Sequence, residues 1–301
     1  MTPADPVNAP PIRITAPAKV NLILRVLDRR PDGFHDIWSI MQTVGLHDDL
    51  RVSAGDRPGI TLTSSDPLLP IDDRNLVVRA AKAVLTRAGA ERAIRIDLTK
   101  RIPMGGGLGG GSSDAAATLV LLNAYLKLGW TLETLAEISA ELGSDVAFFL
   151  YAPTALVTGR GERVSAMRMS GQRWVVLVNP GFQVETRWAY AELAARRSSV
   201  TPVDPALLGL LGIEPLPWER LLPYMRNDFE AALADAHPVF AELGGDLRRR
   251  GAEAAMLSGS GATVFGIFRD EGGARQAASA VAVERRLWTA AVPAAGTLAL
   301  G

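Results

Sequence analysis

Cysteine is absent from the 301-residue chain, so disulfides, catalytic thiolates and cysteine metal sites are all excluded. The three histidines, His35, His47 and His237, are widely spaced and lack the ligand spacing of a zinc site. The 32 basic and 32 acidic residues cancel, so no positive excess suggests nucleic-acid binding. No apolar run approaches the roughly 18 residues of a membrane span. We therefore expect neither a nucleic acid nor a membrane as partner.

The first eleven residues are rich in proline and lack the apolar core of a secretion signal. We expect residues 1–11 to be a disordered leader, and a cytoplasmic location follows as the default. Apolar residues make up 48% of the chain, as in a folded globular protein. The length fits one large domain or two ordinary ones.

The most informative segment is glycine-rich and runs from Pro103 to Asp114, with six glycines in twelve residues. It follows an alternating, strand-like stretch, Ala93–Thr99, and precedes an apolar, helix-like stretch, Ala115–Leu126. Glycine lets backbone N–H groups approach an anion closely, and a helix N-terminus adds unpaired N–H donors. The order strand, glycine loop, helix therefore predicts a site for a di- or triphosphate.

Two common phosphate loops do not fit this segment. Gly105, Gly107 and Gly110 satisfy the G-x-G-x-x-G pattern, but the acid of a dinucleotide site is missing from the helix-like region about 20 residues on. No Gly-Lys-Ser/Thr follows, which excludes a P-loop. Ser112 and Ser113 sit where the helix begins and could cap it or face phosphate or a metal. A flexible linker is disfavoured because so apolar a helix follows directly.

Residues 12–26 alternate apolar and polar with the period of a strand, interrupted by Pro17. Lys19 and Asn21 then share the face opposite the core. Strands and helices mix along the whole chain, which predicts an α+β fold. We expect two lobes that meet near residues 160–170, one from 12 to 165 and the other from 166 to 301.

Phosphoryl transfer needs a group that orients or deprotonates the acceptor hydroxyl. Asp145 follows a predicted helix end at Gly143 and precedes an apolar run, so it is either that group or a helix cap. Lys19 is either its partner or an exposed strand lysine. His35 could bind a substrate through a neutral ring nitrogen. Ser258-Gly-Ser-Gly261 is a second small-residue loop that could add N–H groups to a phosphate site.

Three of these segments together resemble the superfamily of galactokinase, homoserine kinase, mevalonate kinase and phosphomevalonate kinase. They are Ala16–Leu22, Pro103–Ser113 and Leu257–Ala262, in the order of that superfamily. Further segments resemble those members whose acceptor carries a cytidine diphosphate group. These are Arg30–His35, Gly143–Phe149, Asn179–Gly181 and Arg226–Glu230. The resemblance covers the chain from about residue 12 to its end.

The resemblance implies a two-lobed small-molecule kinase with its active site between the lobes. It implies that Mg²⁺ and ATP are used to phosphorylate the 2-hydroxyl of 4-diphosphocytidyl-2-C-methyl-D-erythritol, a step towards isoprenoid precursors. Asp145 then acts as base and Lys19 assists it. The implied nucleotide-binding residues are Asn75, Lys100, Pro103, Met104, Gly105, Gly106, Gly107, Leu108, Gly109, Gly110, Gly111, Ser112 and Ser113, with Ser113 also a candidate magnesium ligand.

The resemblance also implies a cytosine site. Phe34, where such kinases often have tyrosine, and Tyr190 are the candidate stacking rings. Asn21, His35 and Thr186 are the candidate hydrogen-bond partners of the acceptor. Three alternatives stay open: a homoserine or mevalonate kinase, a decarboxylase related to mevalonate diphosphate decarboxylase, and a non-catalytic nucleotide-binding module.

Overall fold

The computed structural model describes residues 10–151, 153–197 and 199–301. Residues 1–9 of the predicted leader lie outside the described residues. Strands and helices alternate irregularly along the chain, which confirms the predicted α+β class.

The strands are β1 (Ile12–Arg29), β2 (His35–Ala54), β3 (Gly59–Ser64), β4 (Ala93–Thr99), β5 (Thr154–Gly159), β6 (Arg163–Met167), β7 (Met169–Ser170), β8 (Trp174–Asn179), β9 (Leu216–Pro217), β10 (Arg226–Asn227), β11 (Ala254–Leu257), β12 (Val264–Phe268), β13 (Trp288–Pro293) and β14 (Ala299–Leu300). The α-helices are α1 (Leu76–Ala88), α2 (Gly110–Tyr125), α3 (Leu132–Leu142), α4 (Val146–Tyr151), α5 (Thr186–Arg196), α6 (Pro205–Leu210), α7 (Trp218–Leu221), α8 (Asp228–Leu233), α9 (Val239–Arg249) and α10 (Glu271–Arg285).

Two main sheets organise the described part of the chain. The larger has the order β10-β1-β2-β4-β3, and β2 is long enough to pair with β5 along its first half and β4 along its second. β6 continues from β5, and β14 adds to β1. The smaller sheet has the order β11-β12-β8-β13, and β7 and β9 form a separate short parallel pair. Because β10 and β14 join β1, the last third of the chain helps to build the first sheet.

Strand β1 changes the face it presents along its length. Its pairing with β2 shifts register between Pro17 and Ala18 and again between Asn21 and Ile23. As a result Ile14 and Leu24 lie in one core, whereas Val20 lies in a second core with residues of the smaller sheet. The expectation that residues 12–26 form one regular strand with a single core face is therefore wrong, because bulges redirect the apolar side chains between two cores.

Helix α2 lies at the centre of the first core. Its residues are apolar on all sides, and Ala115, Leu119 and Leu122 are fully buried. A helix that is apolar all round must be enclosed by other elements, and α2 packs against β1, β2, α1, α3 and α4. This enclosure fixes the helix that the glycine loop leads into.

The boundary between the two lobes, expected after residue 165, stays a prediction. Strand β6 (Arg163–Met167) spans that position. Among the described residues, no helix has the length and apolar character to cross a membrane.

Candidate active site

The three recognised segments meet in space through backbone contacts. The amide of Lys19 on β1 donates to the carbonyl of Leu108 in the glycine loop at 2.9 Å. On the other side of the loop, the Ser258 hydroxyl donates to the carbonyl of Gly107 at 2.9 Å. The Thr263 amide donates to the carbonyl of Gly106 at 3.1 Å. The loop is therefore clamped between β1 and the β11–β12 turn.

Two glycines allow this close approach. Gly107 and Gly109 have φ angles of 74° and 69°, a region that favours glycine. A Cβ atom on Gly107 would lie 2.1 Å from the Ser258 carbonyl oxygen. A Cβ atom on Gly109 would lie 2.9 Å from side-chain atoms of both Lys19 and Phe149. The glycines are needed for packing between segments as much as for any approach to phosphate.

A cleft of about 350 Å³ lies along the glycine loop. Nearly all of the predicted nucleotide-binding residues line it, namely Asn75, Lys100, Pro103, Met104, Gly105, Gly106, Gly107, Leu108, Gly109, Gly110, Gly111 and Ser112. Asn75 also caps α1, because its side chain accepts from the Val77 amide at 2.9 Å and donates to the Pro70 carbonyl at 2.7 Å.

Lys100 is held beneath the loop by two buried carboxylates. Its ammonium donates to Asp48 and, at 2.8 Å, to Asp114. Asp48 also accepts from the backbone amide of Ile102 at 3.0 Å, which anchors the start of the loop. Burial raises the pKa of Asp114 to about 7, against the opposing effect of Lys100. The Lys100 ammonium is thus already paired with two carboxylates. The sequence alone did not reveal these partners of a lysine that follows the end of a strand.

Ser113 is fully buried at the start of α2 and does not line this cleft. Its hydroxyl has no hydrogen-bond partner within the described chain, and the same holds for one oxygen of Asp114. The described residues hold no cluster of three or more histidine, aspartate or glutamate side chains suited to a metal ion. The protein groups near the loop could therefore supply one or two oxygen ligands but not a complete metal cage.

Lys19 and Asp145 meet at the other side of the loop. The Lys19 ammonium lies 3.6 Å from an Asp145 carboxylate oxygen and donates to Asn21 at 2.7 Å. Asn21 in turn donates to the Ser39 hydroxyl at 2.9 Å. Lys19 is only 3% exposed, so the alternative of an exposed strand lysine is wrong. Burial lowers the pKa of Lys19, and the carboxylate of Asp145 opposes that shift.

Asp145 owes its position to the sharp connection between α3 and α4. The chain leaves α3 at Leu142 and enters α4 at Val146, whose side chain is fully buried. Burial of α4 fixes the backbone, while the Asp145 side chain stays 30% exposed. The carboxylate therefore lies at the edge of the core and faces an open cavity.

That cavity, called here the acceptor cavity, has a volume of about 790 Å³. All of the predicted substrate residues line it together with Lys19 and Asp145, namely Asn21, Phe34, His35, Thr186 and Tyr190. The rings of His35 and Tyr190 stack with centroids 5.2 Å apart. Phe34 is exposed, and the Arg160 guanidinium lies 5.2 Å from its centroid.

The surroundings of His35 and Tyr190 shift the pKa values of both side chains. Burial, followed by the charges of Arg197 and Arg29, lowers the pKa of His35. A neutral imidazole can both donate and accept a hydrogen bond. Burial, with a smaller effect of Asp145, raises the pKa of Tyr190 to about 12. Thr186 contacts Ser260 hydroxyl to hydroxyl at 3.2 Å, which brings the second small-residue loop to the cavity.

Sequence reasoning missed three arginines of the acceptor cavity, Arg29, Arg160 and Arg187. A lone arginine has no distinguishing pattern, and these three come from β1, the β5–β6 turn and α5. Only the turn signal around Gly159–Glu162 and the neighbours Phe34 and Thr186 could have directed attention to them.

Comparison with known proteins identifies the family of this chain. Residues 75–153 match the family described as GHMP kinases N terminal domain, and residues 216–284 match GHMP kinases C terminal. The 4-diphosphocytidyl-2-C-methyl-D-erythritol kinase of Citrifermentans bemidjiense is 42% identical over 93% of this chain and 98% of its own. The kinase of the same name from Bacillus subtilis is 39% identical over 85% of this chain and 88% of its own.

Solved structures extend the likeness to the fold. A crystal structure of 4-(cytidine 5'-diphospho)-2C-methyl-D-erythritol kinase is 34% identical, has a TM-score of 0.77, and is matched over 94% of this chain and 99% of its own. A homoserine kinase from Cytophaga hutchinsonii, 20% identical over 96% of this chain and 95% of its own, shares the fold with a TM-score of 0.75. The chain therefore belongs to the GHMP kinases, and within them to the family of the 4-diphosphocytidyl-2-C-methyl-D-erythritol kinases.

Proposed function

We propose that the protein transfers the γ-phosphoryl group of ATP to the 2-hydroxyl of 4-diphosphocytidyl-2-C-methyl-D-erythritol, in the non-mevalonate route to isoprenoid precursors. The observation that carries this is the junction of the two clefts. Gly107 and Gly109 line both the glycine-loop cleft and the acceptor cavity. A phosphate held by the loop would therefore lie beside an acceptor held near Lys19 and Asp145.

In this proposal Asp145 accepts the proton of the acceptor hydroxyl. Its partly exposed carboxylate faces the cavity, and the buried Lys19 ammonium at 3.6 Å orients it. Lys19 is itself fixed by Asn21, so the pair presents a preset geometry. Catalysis then consists mainly of positioning and charge stabilisation, because ATP already carries an activated phosphoryl group.

The nucleotide would lie along the glycine loop, with phosphates facing the backbone amides at the start of α2. Magnesium commonly binds through one or two protein oxygens plus substrate phosphates. The unpartnered oxygen of Asp114, which lines the glycine-loop cleft, fits that requirement, whereas Ser113 does not line the cleft. When bound, the ion would neutralise charge that develops on the phosphates.

Cytosine would stack with Phe34 and Tyr190 and receive hydrogen bonds from His35, Thr186 or Asn21. Phe34 retains the stacking surface and lacks a phenolic hydroxyl. On this division of labour, residues 12–165 supply the nucleotide loop and the catalytic pair, and residues 166–301 complete the acceptor side through α5. The cytoplasmic location and the independence from nucleic acid stay predictions of the sequence.

The test is release of ADP from magnesium-ATP with 4-diphosphocytidyl-2-C-methyl-D-erythritol, mevalonate or homoserine as acceptor. We expect turnover with the cytidyl acceptor alone. If ADP is released with mevalonate or homoserine instead, the proposed ATP site is supported and the proposed cytosine site is refuted. Carbon dioxide release from mevalonate diphosphate would point to the decarboxylase alternative, and binding of ATP without any turnover would point to a non-catalytic module.

A further inference from the structure

The acceptor cavity carries an excess of positive charge although the chain as a whole has none. Its charged side chains are Lys19, Asp145, Arg29, Arg160 and Arg187. Lys19 and Asp145 pair with each other, which leaves three guanidinium groups in one cavity. A concentration of unpaired cations inside a concave site attracts anionic ligands.

Arg29 and Arg187 lack ion-pair partners among the described residues, in contrast to their neighbours. Arg30, next to Arg29, pairs with Asp32 at 3.1 Å and Asp36 at 2.9 Å. Arg196, at the other end of the same helix as Arg187, pairs with Glu192 and Asp235. Arg29 and Arg187 thus differ from these neighbours, which have carboxylate partners.

Each of the three arginines lies beside a residue of the proposed cytosine site. Arg29 is directly opposite His35 in the pairing of β1 with β2. The Arg160 guanidinium covers the ring of Phe34. Arg187 follows Thr186 on α5, three residues before Tyr190. Three separate segments therefore bring guanidinium groups to the same part of the cavity.

We propose that Arg29, Arg160 and Arg187 form the subsite that binds the diphosphate of the acceptor. This rests on the proposed function, in which the base lies at Phe34 and Tyr190 and the reacting hydroxyl lies at Asp145. The diphosphate joins those two parts of the acceptor, so it must lie in the same cavity. Guanidinium groups bind phosphate oxygens in a bidentate manner that lysine cannot reproduce.

The subsite makes the kinase selective for an acceptor that is linked to a nucleoside diphosphate. An acceptor without phosphates would leave three like charges uncompensated in the cavity. The arginines are positioning residues for the acceptor, because they lie beside Phe34, His35 and Thr186, whereas the reacting hydroxyl is proposed to lie at the Lys19–Asp145 pair. Their loss should therefore weaken acceptor binding far more than it slows the chemical step.

Binding of cytidine, CMP and CDP measures the subsite directly. Titrations are made with magnesium and a non-hydrolysable ATP analogue present, so that the glycine loop is occupied. The proteins are the wild type, Arg29→Gln, Arg187→Gln and the control Arg275→Gln. Arg275 is exposed on α10, pairs with Glu271 and lies outside the cavity. Arg160 is left intact because it also packs on Phe34.

We expect the wild type and Arg275→Gln to bind CDP more tightly than cytidine, with CMP between them. Arg29→Gln and Arg187→Gln should each weaken CDP binding by about tenfold and leave cytidine binding unchanged. In turnover assays the same two variants should raise the KM for the cytidyl acceptor and keep kcat within about threefold.

Equal binding of CDP and cytidine by the wild type would overturn the proposal. It would also be overturned if Arg29→Gln and Arg187→Gln behaved like Arg275→Gln. If the wild type shows the arginine-dependent preference for CDP but no turnover, the subsite is supported and the proposed reaction is refuted. The two hypotheses therefore fail by different readouts.

Discussion

Replacing Gly107 with alanine should separate the glycine loop from the turn that clamps it. The new Cβ atom would lie 2.1 Å from the Ser258 carbonyl oxygen, where ordinary contact begins at 3.4 Å. The obstacle is backbone and cannot rotate away, so the loop must move by more than 1 Å. The φ angle of 74° adds strain for any residue with a side chain.

The cost can be worked from these contacts. A side chain in the left-handed region costs about 1–2 kcal/mol. The hydrogen bonds of Ser258 to Gly107 and of Thr263 to Gly106 are each worth about 0.5–1.5 kcal/mol if they are lost. We therefore expect the free energy of unfolding to fall by about 2–5 kcal/mol. Because a displacement of 1 Å in a reacting geometry can cost about a hundredfold, kcat/KM for ATP should fall at least that far.

The assay is urea unfolding together with steady-state kinetics at saturating acceptor. Gly209→Ala is the matched control, because a Cβ atom there meets nothing within 4 Å and the residue lies inside α6, away from both clefts. Alanine is favourable within a helix, so this control should be as stable and as active as the wild type. An unfolding free energy and ATP kinetics for Gly107→Ala that match Gly209→Ala would refute the clamped loop.

Three further predictions address the catalytic pair, the acceptor cavity and the buried charges. Asp145→Asn should lower kcat by about a hundredfold or more while the KM values for ATP and acceptor change little, as steady-state kinetics would show. Tyr190→Ala should raise the acceptor KM by about tenfold and leave the ATP KM unchanged, whereas Tyr190→Phe should retain stacking and near-normal KM. Since the pKa of Asp114 is raised to about 7, the folded state binds a proton that the unfolded chain has released, and stability falls as pH rises from about 4 to about 7. Asp114→Asn should therefore gain in unfolding free energy relative to the wild type between pH 5 and pH 8 in urea titrations, and a constant difference would contradict this.

The sequence predicted the local order around the loop because that order follows from short-range patterns. Alternation over Ala93–Thr99 predicted β4, and the apolar stretch Ala115–Leu126 predicted α2, which begins earlier than expected, at Gly110. The family followed from three segments that are specific in combination. These features need no knowledge of which distant residues meet.

The failures concern long-range packing. Strict alternation could not show the bulges that flank Lys19 and Asn21, because a bulge depends on the pairing of β1 with β2. Nor could it show that the glycine loop lies against Lys19 and that Asn21 bonds to Ser39 of β2, so that both side chains are buried. The pairing of Lys100 with Asp48 joins residues 52 positions apart, and nothing local marks it.

Phosphorus NMR of the reaction mixture tests the central claim most directly. The wild type, magnesium-ATP and 4-diphosphocytidyl-2-C-methyl-D-erythritol should yield ADP and one new phosphomonoester. The new phosphate should be attached to the 2-hydroxyl, and the diphosphate of the acceptor should stay intact. Asp145→Asn should form that product at least about a hundredfold more slowly. A product phosphorylated elsewhere, or equal rates for the two proteins, would contradict the account of a cavity that presents the 2-hydroxyl to the Lys19–Asp145 pair.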